Sequence, residues 1–199
     1  MIDKALQFLT DELDAYLHIK LPGVPAATNL VVLDNIAKLQ DNAGGGSLNR
    51  IILSLVNIEE DTISKNPENF YRTDDNRVVY KNSPVHLNLY CLFAYNHGEA
   101  DNDNVNHYET ALQYISYVIR FFQHRNFFTQ ANSPSLDIKI EKLVTELYTL
   151  GFEQLNHLWA VLGGKYMPSA LYKIRLVVVE EDLVTGIGEV IRNVNVDNN

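Results

Sequence analysis

The chain has 199 residues, 46% hydrophobic and 21% charged, a composition that excludes global disorder, collagen-like repeats and coiled-coil identity. A formal net charge of −9 with scattered Lys and Arg argues against binding through nucleic-acid phosphates, which needs clustered cations to displace counterions, so no nucleic-acid partner is expected. Cys91 is the single cysteine, so no intramolecular disulfide forms; no basic and apolar leader opens the sequence, and no apolar run reaches about 18 residues, so no direct membrane insertion is expected.

Ile2, Ala5, Leu6, Leu9, Leu13, Tyr16 and Leu17 fall on one face at helical spacing, with Asp3, Lys4, Asp11, Glu12 and Asp14 opposite, which predicts a helix over Ile2–Leu17. Burying five large side chains from that face contributes on the order of 8 to 15 kcal/mol of gross transfer energy. Pro22, Gly23 and Pro25 stop the helix. Short apolar runs at Leu30–Leu33 and Ile51–Ile58 read as strands, separated by a mobile connector containing Gly44, Gly45 and Gly46. The polar stretch Asn57–Asn76 reads as a long surface loop.

Val78–Tyr80 and Val85–Tyr95 carry the best strand signal of the first half. Leu87, Leu89, Cys91 and Phe93 alternate with His86, Asn88 and Tyr90, until Leu92 and Ala94 make both faces apolar and predict cover on both sides. Tyr108, Leu112, Ile115, Ile119 and Phe122, with Ala111 and Val118 beside them, predict a helix over Val105–Gln123, and Arg120, His124 and Arg125 complement its dipole. Leu136, Ile138 and Ile140 alternate with Asp137, Lys139 and Glu141, which predicts a half-exposed edge strand that continues toward Leu147. Phe152–Leu162 reads as a third helix ended by Gly163 and Gly164, and Ala170–Val179 as a further strand.

This order predicts a single α+β domain over residues 1–180, with two to three helices against one mixed or antiparallel sheet. Residues 181–199 form a tail, acidic at its start and β-prone over Val190–Val196. It reads either as a final hairpin strand or as an arm lent to a neighbour.

No catalytic set emerges. Gly44–Ser47 lacks the Lys-Ser/Thr pair of a phosphate loop, and the Asp101–Asn104 run has Asn106 and Leu112 where a calcium loop needs Gly and Glu. The six histidines never pair at i,i+4 around a carboxylate, and Cys91 reads as a packed thiol. Trp159, Tyr166 and Tyr172 suit the edge of a core better than an aromatic ligand site.

The run from Leu158 to Leu176, in which Trp159 on a helix precedes the small-residue turn Gly163-Gly164 and the Tyr172 strand, resembles the terminator family of extracellular contractile injection systems of the antifeeding-prophage and virulence-cassette type. The opening Ile2–Leu17, the Val85–Tyr90 strand and a Tyr108–Phe128 helix ending in Arg125-Asn126 resemble it too, so that the likeness covers Ile2 to about Val179. Some members carry a further C-terminal region, and roles tied to it are not carried over. The resemblance implies a phage tail-terminator-like fold and a hexameric ring seated on the last layer of inner tube and contractile sheath. It implies these two proteins and further copies of itself as partners, and no catalytic residue or cofactor. It implies synthesis in the bacterial cytoplasm and incorporation into a released or membrane-associated particle. A tube-to-sheath adaptor or other tail-completion protein, and a small ligand-binding domain or enzyme, remain the alternatives. If the cap stops growth by pairing a strand edge with a sheath arm or a neighbouring subunit, the candidate elements are Asp137, Ile138, Lys139, Ile140 and Glu141, and the tail with Val190, Ile191 and Val194.

Overall fold

The computed structural model describes residues 1–37, 49–61, 70–72, 78–81, 86–97, 107–163, 166–178 and 184–188. Six strands form the main sheet: β1 (Val31–Leu33), β2 (Arg50–Glu60), β5 (His86–Asn96), β6 (Phe127–Thr129), β7 (Ile140–Leu147) and β8 (Ser169–Val178). Their spatial order is β1-β2-β5-β8-β7-β6, with β1 parallel to β2 and all other pairs antiparallel. The predicted mixed sheet of an α+β domain is thus the observed one. A second, three-stranded sheet joins β3 (Phe70–Arg72), β4 (Val78–Lys81) and β9 (Val184–Gly188). Its connections leave from the ends of β2, β5 and β8 that lie side by side, where Glu60 faces Leu87 and His86 faces Val177.

Helices α1 (Ile2–Lys20) and α2 (His107–His124) cover one face of the main sheet, and α3 (Phe152–Val161) covers part of the other. On α1 the expected stripe of Ala5, Leu6, Leu9, Leu13 and Leu17 is buried, joined by Phe8, whose ring meets Phe128 edge-on at 5.4 Å. Along β5 the alternation sorts by face: Leu89, Cys91 and Phe93 pack under α1 and α2, while Leu92 and Ala94 pack under Trp159 of α3. The double cover predicted for the end of this strand is present. Burial pushes the Cys91 thiol up to about 12, which leaves it a packed apolar group. Gly163, at φ 115°, supplies the left-handed residue that ends α3.

Four expectations need correction. Leu136–Lys139 is a bend followed by a turn, and the strand begins at Ile140. Asp137 Oδ1 accepts the Lys139 N–H at 2.9 Å, Gln130 Nε2 donates to the carbonyls of Leu136 and Asp137, and Ile140 N donates to the Asp137 carbonyl. These local bonds occupy the backbone groups a ladder would use, so the polar alternation there is a turn signature. Nor is β7 an edge over Lys142–Val144, because β6 pairs with it there.

The expected loop Asn57–Asn76 is partly strand, since β2 runs on to Glu60 against Leu87 and β3 occupies Phe70–Arg72; its remaining residues 62–69 and 73–76 lie outside the described ones. The helix continued by resemblance to Phe128 ends at His124, where Phe127–Thr129 turns out to form β6. The buried stripe of α2 is rotated from the predicted one. Ala111, Ile115, Val118, Phe121 and Phe122 are inside, while Tyr108, Leu112 and Ile119 face out. The adjacent Phe121 and Phe122 set this rotation, because Phe121 packs on Tyr16 at 5.2 Å and Phe122 on Phe93 at 5.2 Å and Tyr172 at 4.7 Å. Gly44–Gly46, Asp101–Asn104, Val190, Ile191 and Val194 lie outside the described residues.

Candidate partner-docking surfaces

α3 shields only the Ile52, Leu92, Ala94 and Leu171 end of its sheet face, with Trp159, Leu162 and Met167 filling the space between. Beside it opens a groove of about 750 Å³. Leu158, Leu162 and Leu171 give this groove an apolar floor, Gln154 and His157 of α3 form one wall, and the β2 stretch Ser54–Asn57 with Glu59 forms the other. The Tyr90 hydroxyl donates to Glu59 Oε2 at 2.9 Å, and its ring meets Tyr148 edge-on at 5.0 Å. Burial first and then the Glu59 carboxylate push that phenol up to about 12, so it remains a neutral donor. Asp34 and Glu59 carry the rim's negative charge, and no Lys or Arg lines the groove among the described residues.

The β2 wall is also a strand edge. β1 pairs only with Ile51–Leu53, so Leu55–Glu59 continues beyond it with no partner strand on the outer side among the described residues. A bulge between Leu55 and Asn57 bends this segment. Such an edge presents main-chain donors and acceptors to any extended chain laid along it. The apolar run Ile51–Ile58 marks a strand without giving its place in the sheet, and the edge exists because β1 is three residues long against eleven in β2.

The sequence candidates are distributed otherwise. Asp137 is held by Lys4 Nζ at 2.5 Å, a link from the turn to α1, and Ile138 projects at 83% exposure. Lys139 and Glu141 are exposed, and Ile140 is buried in the core at 1%. This cluster lies on the α1 and α2 side of the sheet, because Ile140 packs with α1 and α2 residues, whereas the groove lies on the α3 side. Trp159 and Tyr172 are divided between the two faces, so the three aromatics form no shared site; Trp159 packs against Tyr166 at 5.6 Å. Two positioning residues that read as surface charge are structural. Asp14 Oδ1 accepts the N–H groups of Leu30 at 2.7 Å and Val31 at 2.9 Å, seating β1 on α1. Arg125 pairs with Glu12, donates to the Asn132 carbonyl at 2.9 Å and to Ser133 Oγ at 2.6 Å, and lies over the Phe128 ring. Among the described residues no group of three or more His, Cys, Asp or Glu is placed to hold a metal, and no helix is long and apolar enough to cross a membrane.

Two solved structures share this fold. One is the PVC sheath/tube terminator of an extracellular contractile injection system in its extended state, with a TM-score of 0.52 at 14% identity over 94% of this chain and 63% of that one. The other is the anti-feeding prophage cap, the AFP tube terminating cap, with a TM-score of 0.51 at 16% identity over 74% of this chain and 49% of that one. The chain therefore spans less than two thirds of either protein. No curated protein sequence matches it. The family model described as the Pvc16 N-terminal domain matches residues 5–193, nearly the whole length over which α1, both sheets and α3 are laid out, and the chain belongs to that family.

Proposed function

We propose that this chain is a structural cap, a tail terminator that ends polymerisation of inner tube and contractile sheath in a phage-tail-like injection particle and joins the two. The observation that carries the reading is membership in the Pvc16 N-terminal domain family together with a fold shared by a sheath/tube terminator and a tube terminating cap. The cap works as a ring of six copies, because closed cyclic symmetry lets identical subunits finish a tube of matching symmetry. Residues 1–180 are its body and 181–199 an arm, of which β9 lies along β4. Its chemistry is association without catalysis. An exposed edge takes an extended segment through main-chain hydrogen bonds and offers no new arm in return. Asp137, Ile138, Lys139 and Glu141 supply a second contact, with Ile138 as its apolar point and buried Ile140 anchoring them to the core, and Val190, Ile191 and Val194 act from the arm.

Electron microscopy of purified particles carrying a labelled copy tests this. Density at the end of the tail remote from the baseplate, with a mass of six copies, is expected. Label at the baseplate end would overturn the cap in favour of a tube-to-sheath adaptor, and a stoichiometry incompatible with six would overturn the ring.

A further inference from the structure

We infer that the groove between α3 and the outer edge of β2 receives residues 189–196 of a second copy of this chain, laid along Leu55–Glu59 as an added strand. The inference rests on the ring-forming reading above and names the joint between neighbouring subunits.

Three observations single out this occupant. The groove combines an apolar floor, an acidic rim of Asp34 and Glu59, and a strand edge without a partner on its outer side among the described residues. It therefore suits an extended segment whose groove-facing side is apolar with a cation. Asp34 Oδ1 accepts only the neighbouring Asn35 N–H, and Glu59 is bonded to Asn57 and Tyr90, so neither carboxylate has a Lys or Arg partner among the described residues. In the sequence Val190-Ile191-Arg192-Asn193-Val194-Asn195-Val196, strand alternation sets Val190, Val194 and Val196 on one side with Arg192 among them, the complement of that groove.

The ring-forming reading and the reach of the arm select a second copy. β9 enters the small sheet with Val184 opposite Lys81, the end of β4 that leads into β5, and ends with Gly188 opposite Val78, the residue at which β4 begins. The ring-forming reading supplies a neighbouring copy, and its groove is the one this arm is assigned to. Extended, residues 189–196 span at most about 28 Å, so pairing over about five residues, about 17 Å, leaves about 11 Å to bridge to the adjoining subunit.

Full chains that each carry one added cysteine test the joint: Asn57→Cys places a thiol in the groove and Val194→Cys one on the groove-facing side of the arm, while Cys91 stays buried. On mixing the two proteins under mild oxidation, a disulfide between them forms only in trans. A mixed dimer well above the homodimers of either protein alone is expected. Glu59→Arg should cut its yield about tenfold, and adding Arg192→Glu to the arm protein should restore it. Absence of the mixed dimer overturns the joint. So does a chain carrying both cysteines that closes only on itself at monomer mass, which would seat the arm in its own groove. Yield unchanged by the charge reversal overturns the Arg192 pairing on which the fit depends. Cross-linking without six-fold particles would sink the ring and leave the joint standing, and six-fold particles without cross-linking would do the reverse.

Discussion

Trp159 decides whether the α3 layer is held by packing or built for a ligand. Its indole is 4% exposed against Ile52, Leu92, Ala94 and Leu171, and its Nε1 finds no hydrogen-bond partner among the described residues. Truncating a buried large aromatic to Ala costs about 3–5 kcal/mol through lost transfer energy and the cavity left behind. Trp159→Phe removes about a third of the ring system, about 1 kcal/mol of transfer energy at ~25 cal/mol per Å². It also removes a buried unsatisfied donor, whose desolvation costs about 1–3 kcal/mol. The two changes oppose each other. The Phe variant is therefore expected within about 1 kcal/mol of the parent, while the Ala variant loses about 3–5 kcal/mol. Urea unfolding followed by far-UV circular dichroism reads both, fluorescence being unsuitable because Trp159 is the sole tryptophan. A Phe variant as unstable as the Ala variant would refute the reasoning, since the indole N–H would then be doing polar work that packing does not require.

Asp14→Ala strips the acceptor from two amides at the start of β1 and should cost about 1–3 kcal/mol by the same urea titration, with Asp14→Asn intermediate. The Lys4 ammonium beside Asp137, aided by the Lys139 N–H, holds that carboxyl below the usual carboxylate range, and the Asp137 carboxylate in turn raises Lys4. A depressed carboxylate stabilises the fold above its unfolded pKa and loses that contribution as pH falls through the folded one. Thermal melts of Asp137→Asn should accordingly differ from the parent at neutral pH and converge with it in acid; parallel curves would contradict the link. Ile138→Asp, on a side chain 83% exposed, should leave the isolated fold within about 0.5 kcal/mol and reduce retention of the cap on particles. Full retention would remove this turn from the interface.

Periodicity made the helices and the central strands legible because each buries a stripe or a face that repeats along the chain. Leu87 through Ala94 even disclosed which end of β5 is covered twice, since only a strand between two layers needs both faces apolar. Where the reading failed, local hydrogen bonding or tertiary packing had overridden the pattern. Asp137 bonds its own backbone two residues on, so Leu136–Lys139 alternates like a strand and folds as a bend and a turn. α2 carries enough apolar residues to fit two neighbouring orientations, and the rings of Phe121 and Phe122 choose between them.

The candidate site is harder to read than the fold because an edge is defined by what does not lie beside it. β2 and β5 are both eleven-residue apolar strands, yet β5 sits between β2 and β8 while β2 has three residues of β1 over part of its length. That difference depends on strand order, which is a property of the whole chain. The same logic applies at the opposite border, where the three residues of β6 pair with Lys142–Val144 and leave Glu146 and Leu147 beyond the pairing. A short outer strand satisfies enough main-chain groups to keep the sheet closed in the free subunit and leaves the remainder of its longer neighbour as the place where another chain can add. For a protein whose chemistry is association, the length mismatch at the sheet border carries the information that a nucleophile or a metal ligand carries in an enzyme.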